Sequence, residues 1–76
     1  MKELVEYIAK SLVDNPDSVH VNEVEGSSMV VLELTVADSD MGRVIGKGGR
    51  VVNAIRTLVE VAAGAKGKRI TLEILD

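Results

Sequence analysis

The sequence predicts an α+β domain of two layers: a three-stranded mixed sheet with helices packed on one face. Three observations carry this. The apolar periodicities run in the order helix, strand, strand, helix, helix, strand. The first two β-branched runs meet at Gly26-Ser27, a short glycine-containing connection that reads as an antiparallel hairpin. A helix pair separates the second run from the third, and a right-handed crossover through such a pair returns the last strand to the hairpin sheet. With 76 residues the chain forms one domain, residues 1–76, that buries about 60% of its unfolded surface.

Residues 2–14 place Leu4, Ile8 and Leu12 four apart, with Val5 and Val13 beside them and Glu3, Glu6 and Lys10 elsewhere around the wheel. This is an amphipathic helix, and Tyr7, the only aromatic residue, is expected at the edge of the core. Asn15-Pro16 ends it, because proline disfavours helical geometry in the residue before it. Ser18–Glu25 and Ser28–Val36 are the hairpin strands, the second with Val30, Leu32, Leu34 and Val36 on one face. His20 is expected as an exposed or half-buried strand residue, since no nucleophile or carboxylate pattern accompanies it.

Asp38-Ser39-Asp40 offers N-cap residues for a short helix through Ile45, a residue expected in the core, and Gly46 fits the position just past its end. Gly42 inside that helix costs about 1 kcal/mol relative to alanine, so a neighbouring helix or a ligand is expected close to its backbone. The next helix, Arg50–Ala63, presents Val51, Ile55, Leu58 and Ala62 on one face and has Gly64 as its stop. Val52, Val59 and Ala63 form a second apolar stripe, which either packs under the first helix or makes a dimer contact. The last strand is Arg69–Leu75.

Composition excludes several functions. Hydrophobic residues at 46% and charged residues at 28% describe a folded domain. No cysteine and one histidine leave no disulfide and no zinc site of the usual kind. The acidic N-terminal stretch is unlike a signal peptide and no apolar run is long enough to span a bilayer, so a cytoplasmic protein without membrane contact is expected. The net charge of −3 hides a segregation: residues 41–69 hold seven cations (Arg43, Lys47, Arg50, Arg56, Lys66, Lys68, Arg69) against Glu60, giving +6. The remainder holds Lys2 and Lys10 against eleven acids, giving −9.

At the centre of the basic segment lies Val44-Ile45-Gly46-Lys47-Gly48-Gly49-Arg50, a glycine turn between two helices. A Walker A loop would need Ser or Thr after the lysine, where Gly48 stands, and a dinucleotide fingerprint begun at Gly46 would need glycine where Val51 stands. Arg50 at the start of the second helix and Glu60 near its end oppose the helix dipole, a misplacement that an anion bound at the helix start would offset. No base, nucleophile or metal ligands converge on the turn, so neither an enzyme nor a small-molecule substrate or cofactor is expected.

The pattern V-I-G-x-x-G resembles the KH signature, whose G-x-x-G loop clamps about four backbone nucleotides. A helix first and a strand last resemble the type II form, and the whole chain is similar to the small bacterial KH-domain RNA-binding proteins of the KhpA family. The resemblance implies single-stranded RNA lying between the helix-loop-helix and the adjacent strand edge. Gly46, Lys47, Gly48 and Gly49 would face its sugar-phosphate backbone, Arg43 and Arg50 would add charge, and Val44 with residues of the second strand would contribute to an aliphatic floor under the bases. Without Phe or Trp, aromatic stacking platforms are excluded. Arg56 is either solvated surface or part of the footprint, and Lys66, Lys68 and Arg69 either extend the RNA path or maintain solubility. The expected function is non-enzymatic RNA binding, as a chaperone or post-transcriptional regulator. The resemblance also implies a homodimer, or a heterodimer with a KhpB-type KH protein. The alternative is an interaction subunit that dimerises with such a partner and binds RNA weakly or not at all.

Overall fold

The computed structural model covers residues 1–76 and has the expected two layers. Its elements are α1 (Lys2–Leu12), β1 (His20–Glu25), β2 (Val30–Thr35), α2 (Met41–Ile45), α3 (Arg50–Gly64) and β3 (Ile70–Ile74). Single 3-10 turns at Pro16–Ser18, Asp38–Asp40 and Lys47–Gly49 link them. The sheet order is β1-β2-β3, with β2 antiparallel to β1 and parallel to β3. In register, Val21 lies beside Leu34 and Leu32 beside Leu72, so one face of all three strands is apolar and receives the helices.

The core joins that face (Leu32, Leu34, Leu72, Val21, Ile70) to Val5 and Ala9 of α1 and to Val44 of α2. From α3 it takes Val52, Ile55, Val59 and Ala63. Each of the three fully buried leucines contributes about 1.5–3 kcal/mol of transfer free energy. Both long helices are rolled relative to their predicted faces. In α1 the buried residues are Val5 and Ala9, while Leu4 and Leu12 stay 38% exposed and Tyr7 projects into solvent instead of sealing the core edge. In α3 the stripe offered as an alternative, Val52, Val59 and Ala63, is the core face and not a dimer contact; Leu58 and Val61 are exposed instead.

Residue size and one tether explain the roll. Val5 and Ala9 let α1 approach a sheet already filled by leucines, which the larger Leu4 and Leu12 would hold off, and in α3 Val52, Val59 and Ala63 do the same around the buried Ile55. In α3, Arg56 donates from Nε to the carbonyl oxygen of Leu72 at 2.9 Å. The amide or carbonyl groups of Arg69 and Leu75 bond to β2, so by the two-residue period the backbone polar groups of Ile70, Leu72 and Ile74 face the open edge of β3. Arg56 satisfies one of them. Lying between Val52 and Val59 on the helix surface, it fixes which side of α3 turns toward the sheet.

α3 ends at Gly64 as expected, and the chain then turns through the left-handed Gly67, at φ 72°, with the Lys68 amide closing onto the Ala63 carbonyl at 2.9 Å. Two further expectations change. A β-carbon at Gly42 would meet nothing within 4 Å, so no neighbouring helix presses on it. None of Asp38, Ser39 or Asp40 caps α2 with its side chain. Asp40 is instead buried, accepting the backbone amides of Asp14 and Asn15 at 3.1 and 3.0 Å.

Candidate nucleic-acid interface

The glycine turn is built from the positions its glycines must occupy. Gly46 ends α2 with φ 76° and ψ 170°, a region open essentially to glycine alone. A β-carbon there would lie 2.5 Å from Val51 Cγ2 and 2.8 Å from the Val51 amide nitrogen. Gly46 is therefore fixed by the chain's own packing. Gly48 and Gly49 are left-handed, at φ 66° and 80°. A β-carbon at Gly48 would meet nothing, whereas one at Gly49 would only touch Asn53 at 3.5 Å. The amides of Gly46, Gly49 and Arg50 close onto the carbonyls of Gly42, Gly46 and Lys47. Lys47 and Gly48 are left as the exposed tip.

Behind the tip stands the N-terminus of a helix of 15 residues with no acid in its first turn and no base in its last. The partial positive charge of that helix end adds to Lys47 and Arg50, neither of which has a carboxylate within ion-pair distance. The turn thus presents a protruding, unbulky backbone with uncompensated positive charge, an arrangement that attracts phosphate.

Arg43 is placed differently. Its guanidinium pairs with Asp14 at 3.0 Å and with the buried Asp40 at 3.5 Å, while remaining 54% exposed. Asp40 so ties the end of α1 to α2. The Asp14 amide, then the Asn15 amide and side chain and the charge of Arg43, hold its carboxyl below the ordinary carboxylate range, against the opposing effect of burial. Sequence reasoning missed this latch, having placed Asp40 at a helix cap. Its signal was an acid three residues before an arginine with Asn-Pro upstream, which local patterns alone do not connect.

Val44 requires a correction. It is fully buried, so its side chain supports the turn from beneath and offers no floor to a base. Arg56 belongs neither to plain solvated surface nor to a free cationic footprint: besides Leu72 it bonds Asn53 Oδ1 at 3.1 Å and faces Glu73 at 3.9 Å. Lys66, Lys68 and Arg69 are exposed, have no ionic partner and lie at the far end of α3 from the glycine turn. Ile45 packs against the core as a half-buried residue, and His20 is exposed on β1. No helix is long and apolar enough to cross a membrane.

Comparison with known proteins agrees with this architecture. The family model described as KhpA/KhpB, KH domain, matches residues 2–74. The chain is 59% identical over 75 residues to the RNA-binding protein KhpA of Clostridium perfringens, covering 99% of this chain and 100% of that one. It is 49% identical over 76 residues to KhpA of Aquifex aeolicus, covering 100% and 96%. KhpA of Chlamydia trachomatis is 47% identical over 76 residues, covering 100% and 97%. Among solved structures it is similar to Aquifex aeolicus Era bound to GDP.AlF4-, with a TM-score of 0.65 and 25% identity over 96% of this chain. The chain spans 28% of that Era chain.

Proposed function

The chain belongs to the KhpA/KhpB family of KH domains, and from that premise we propose that it is an RNA-binding module, not an enzyme, which grips about four nucleotides of a single strand with its Gly46–Gly49 turn. A cytoplasmic RNA chaperone or post-transcriptional regulator is the corresponding role. The observation that carries the reading is the exposed tip Lys47-Gly48: no side chain crowds Gly48, a helix start without a side-chain cap stands behind it, and two cations without ion-paired acids flank it. Phosphate oxygens approach the tip, with Lys47 and Arg50 as counter-charges. Arg43, already balanced by Asp14 and Asp40, orients α2 and adds a weaker field. The bases lie over aliphatic side chains near the tip, with Val44 beneath the backbone.

The test replaces Lys47 and Gly48 with aspartate. Gly48 has φ 66° and ψ 19°, a left-handed conformation that aspartate tolerates, and its β-carbon meets nothing, so the double variant folds. The unmutated chain is expected to bind short single-stranded RNA, with log affinity falling against log salt at a slope near −2 for about three neutralised phosphates. The folded double variant is expected to lose that binding; unchanged affinity would refute the clamp.

A second reading concerns partners. Leu58 and Val61 lie one helical turn apart on the solvent side of α3, 56% and 68% exposed. We infer from this exposed pair a contact face for a second copy of the chain or for a KhpB-type KH partner. Leu58→Lys with Val61→Lys is expected to shift any dimer to monomer in sedimentation velocity without unfolding it. A dimer that persists would move the contact elsewhere.

A further inference from the structure

Both surface clefts lie away from the glycine turn. One, of about 370 Å³, opens between the end of α3 and the start of β3; the other, of about 440 Å³, opens between the projecting β1–β2 hairpin and residues 67–70. They meet along Lys68-Arg69 and share Met29 and Ile70 as apolar lining. Lys66, Lys68 and Arg69 are exposed around Gly67, where the chain turns at φ 72°.

Glu23 and Glu25 line the hairpin cleft and Glu60 lines the other, yet none comes within 4.0 Å of a Lys or Arg nitrogen of this loop. The three cations are therefore free of direct ion pairs, although these carboxylates lie in the same clefts and offset part of their field. The acids repel phosphate from the cleft walls and confine it to the Lys68-Arg69 ridge, while a carboxylate beside an apolar floor can accept from the exocyclic amine of a base. Cations on a ridge with the exposed Met29 beside them suit a nucleotide: phosphate on the ridge, base against the Met29 side chain, with Ile70 buried beneath.

The distance from the clamp gives this patch a separate meaning. Fifteen helical residues separate it from the glycine turn, which at about 1.5 Å per residue is about 22 Å. A stacked strand rising about 3.4 Å per nucleotide needs roughly seven nucleotides to cover that span, more than the clamp itself holds. Resting on the RNA-binding reading above, we propose that Lys66, Lys68 and Arg69 with Met29 form a second, separate RNA contact. It engages only strands long enough to run from the glycine turn along α3, or a second segment of the same RNA.

The experiment compares Lys66→Gln/Lys68→Gln/Arg69→Gln with the unmutated chain on two oligouridylates, one of about five nucleotides and one of about sixteen. The replaced side chains are exposed and hold no ion pair, so the variant keeps its fold, which circular dichroism verifies. The expected result is unchanged affinity for the short strand. For the long strand the salt slope should shrink by about 2, at roughly 0.7 per neutralised phosphate for three cations. Equal losses on both strands would overturn the proposal, because the loop would then act on the clamp or as a diffuse field. No loss on either would also overturn it and leave the loop to solubility or a protein partner. If the unmutated chain bound neither strand, the RNA-binding reading itself would fall. Met29→Ser separates contact from charge: it should weaken long-strand binding with the salt slope intact, and unchanged binding would remove the apolar floor from the site.

Discussion

Two glycines of the turn separate packing from ligand access. At Gly46, an alanine meets the Val51 side chain at 2.5 Å and the Val51 backbone nitrogen at 2.8 Å. Its φ of 76° with ψ of 170° costs about 1–3 kcal/mol for any other residue. Relieving the overlap costs about 1–3 kcal/mol more, for a total of about 2–6 kcal/mol. At Gly48 the added methyl meets nothing, and a left-handed φ of 66° and ψ of 19° is the only burden, about 1–2 kcal/mol. A chain of 76 residues has a total stability of about 4–11 kcal/mol at roughly 0.05–0.15 kcal/mol per residue. Gly46→Ala thus removes a large share of it and Gly48→Ala a small one. In urea, at an m-value of about 1 kcal/mol/M, the Gly46→Ala midpoint should fall by about 2 M or more, and further than that of Gly48→Ala. Adding Val51→Ala should rescue only in part, because the amide nitrogen at 2.8 Å and the β-carbon at 2.9 Å remain. Equal midpoints for Gly46→Ala and Gly48→Ala would refute the steric argument, and full rescue by Val51→Ala would refute the backbone part of it.

The Asp40 latch gives a pH dependence with a definite sign. Its carboxyl is held below the ordinary carboxylate range, first by the Asp14 amide. The stabilisation is complete above the ordinary aspartate range and is lost as pH falls through the lowered folded-state value. Asp40→Asn should therefore destabilise the chain at neutral pH and flatten the acid limb of its stability curve in pH-dependent urea titrations; an unchanged acid limb would remove the latch from the account. The Lys47/Gly48 double aspartate should cost RNA affinity but little stability, read by fluorescence anisotropy beside thermal melts. The three glutamines at 66, 68 and 69 should alter the salt slope on long RNA alone. Lysines at Leu58 and Val61 should act on self-association, read by sedimentation velocity, without touching the clamp.

The element order, the hairpin and the glycine turn were legible because each is written locally. Gly26-Ser27 marks the hairpin, and alternation from Val30 to Val36 names the buried face of β2, where Leu32 and Leu34 are fully buried. The family resemblance rests on V-I-G-x-x-G together with the order of helices and strands over the whole chain, and the family match over residues 2–74 agrees with it. The roll of the helices was not legible. In α3 the sets Val51/Ile55/Leu58/Ala62 and Val52/Ile55/Val59/Ala63 both fit a 3.6-residue period and share Ile55. The choice between them depends on closeness to the sheet and on the bond from Arg56 to Leu72, 16 residues away.

The same non-local bonds reassign charge within the candidate site. Counting cations from 41 to 69 gives +6 with Glu60 included, but the count treats all seven as available to an anion. Arg43 is balanced by Asp14 and Asp40, and Arg56 is bound to Leu72, Asn53 and Glu73. The cations without an acidic partner divide into Lys47 and Arg50 at one end of α3 and Lys66, Lys68 and Arg69 at the other. A run that reads in the sequence as one basic segment is, in the fold, two separate positive poles joined by a helix whose middle arginine is structural. Phosphate attraction falls off within a Debye length of about 8–10 Å at ordinary salt, less than half of the helix length between them. If the chain binds RNA as proposed, the two poles act on different parts of the strand, and the length of the RNA decides whether the second is felt.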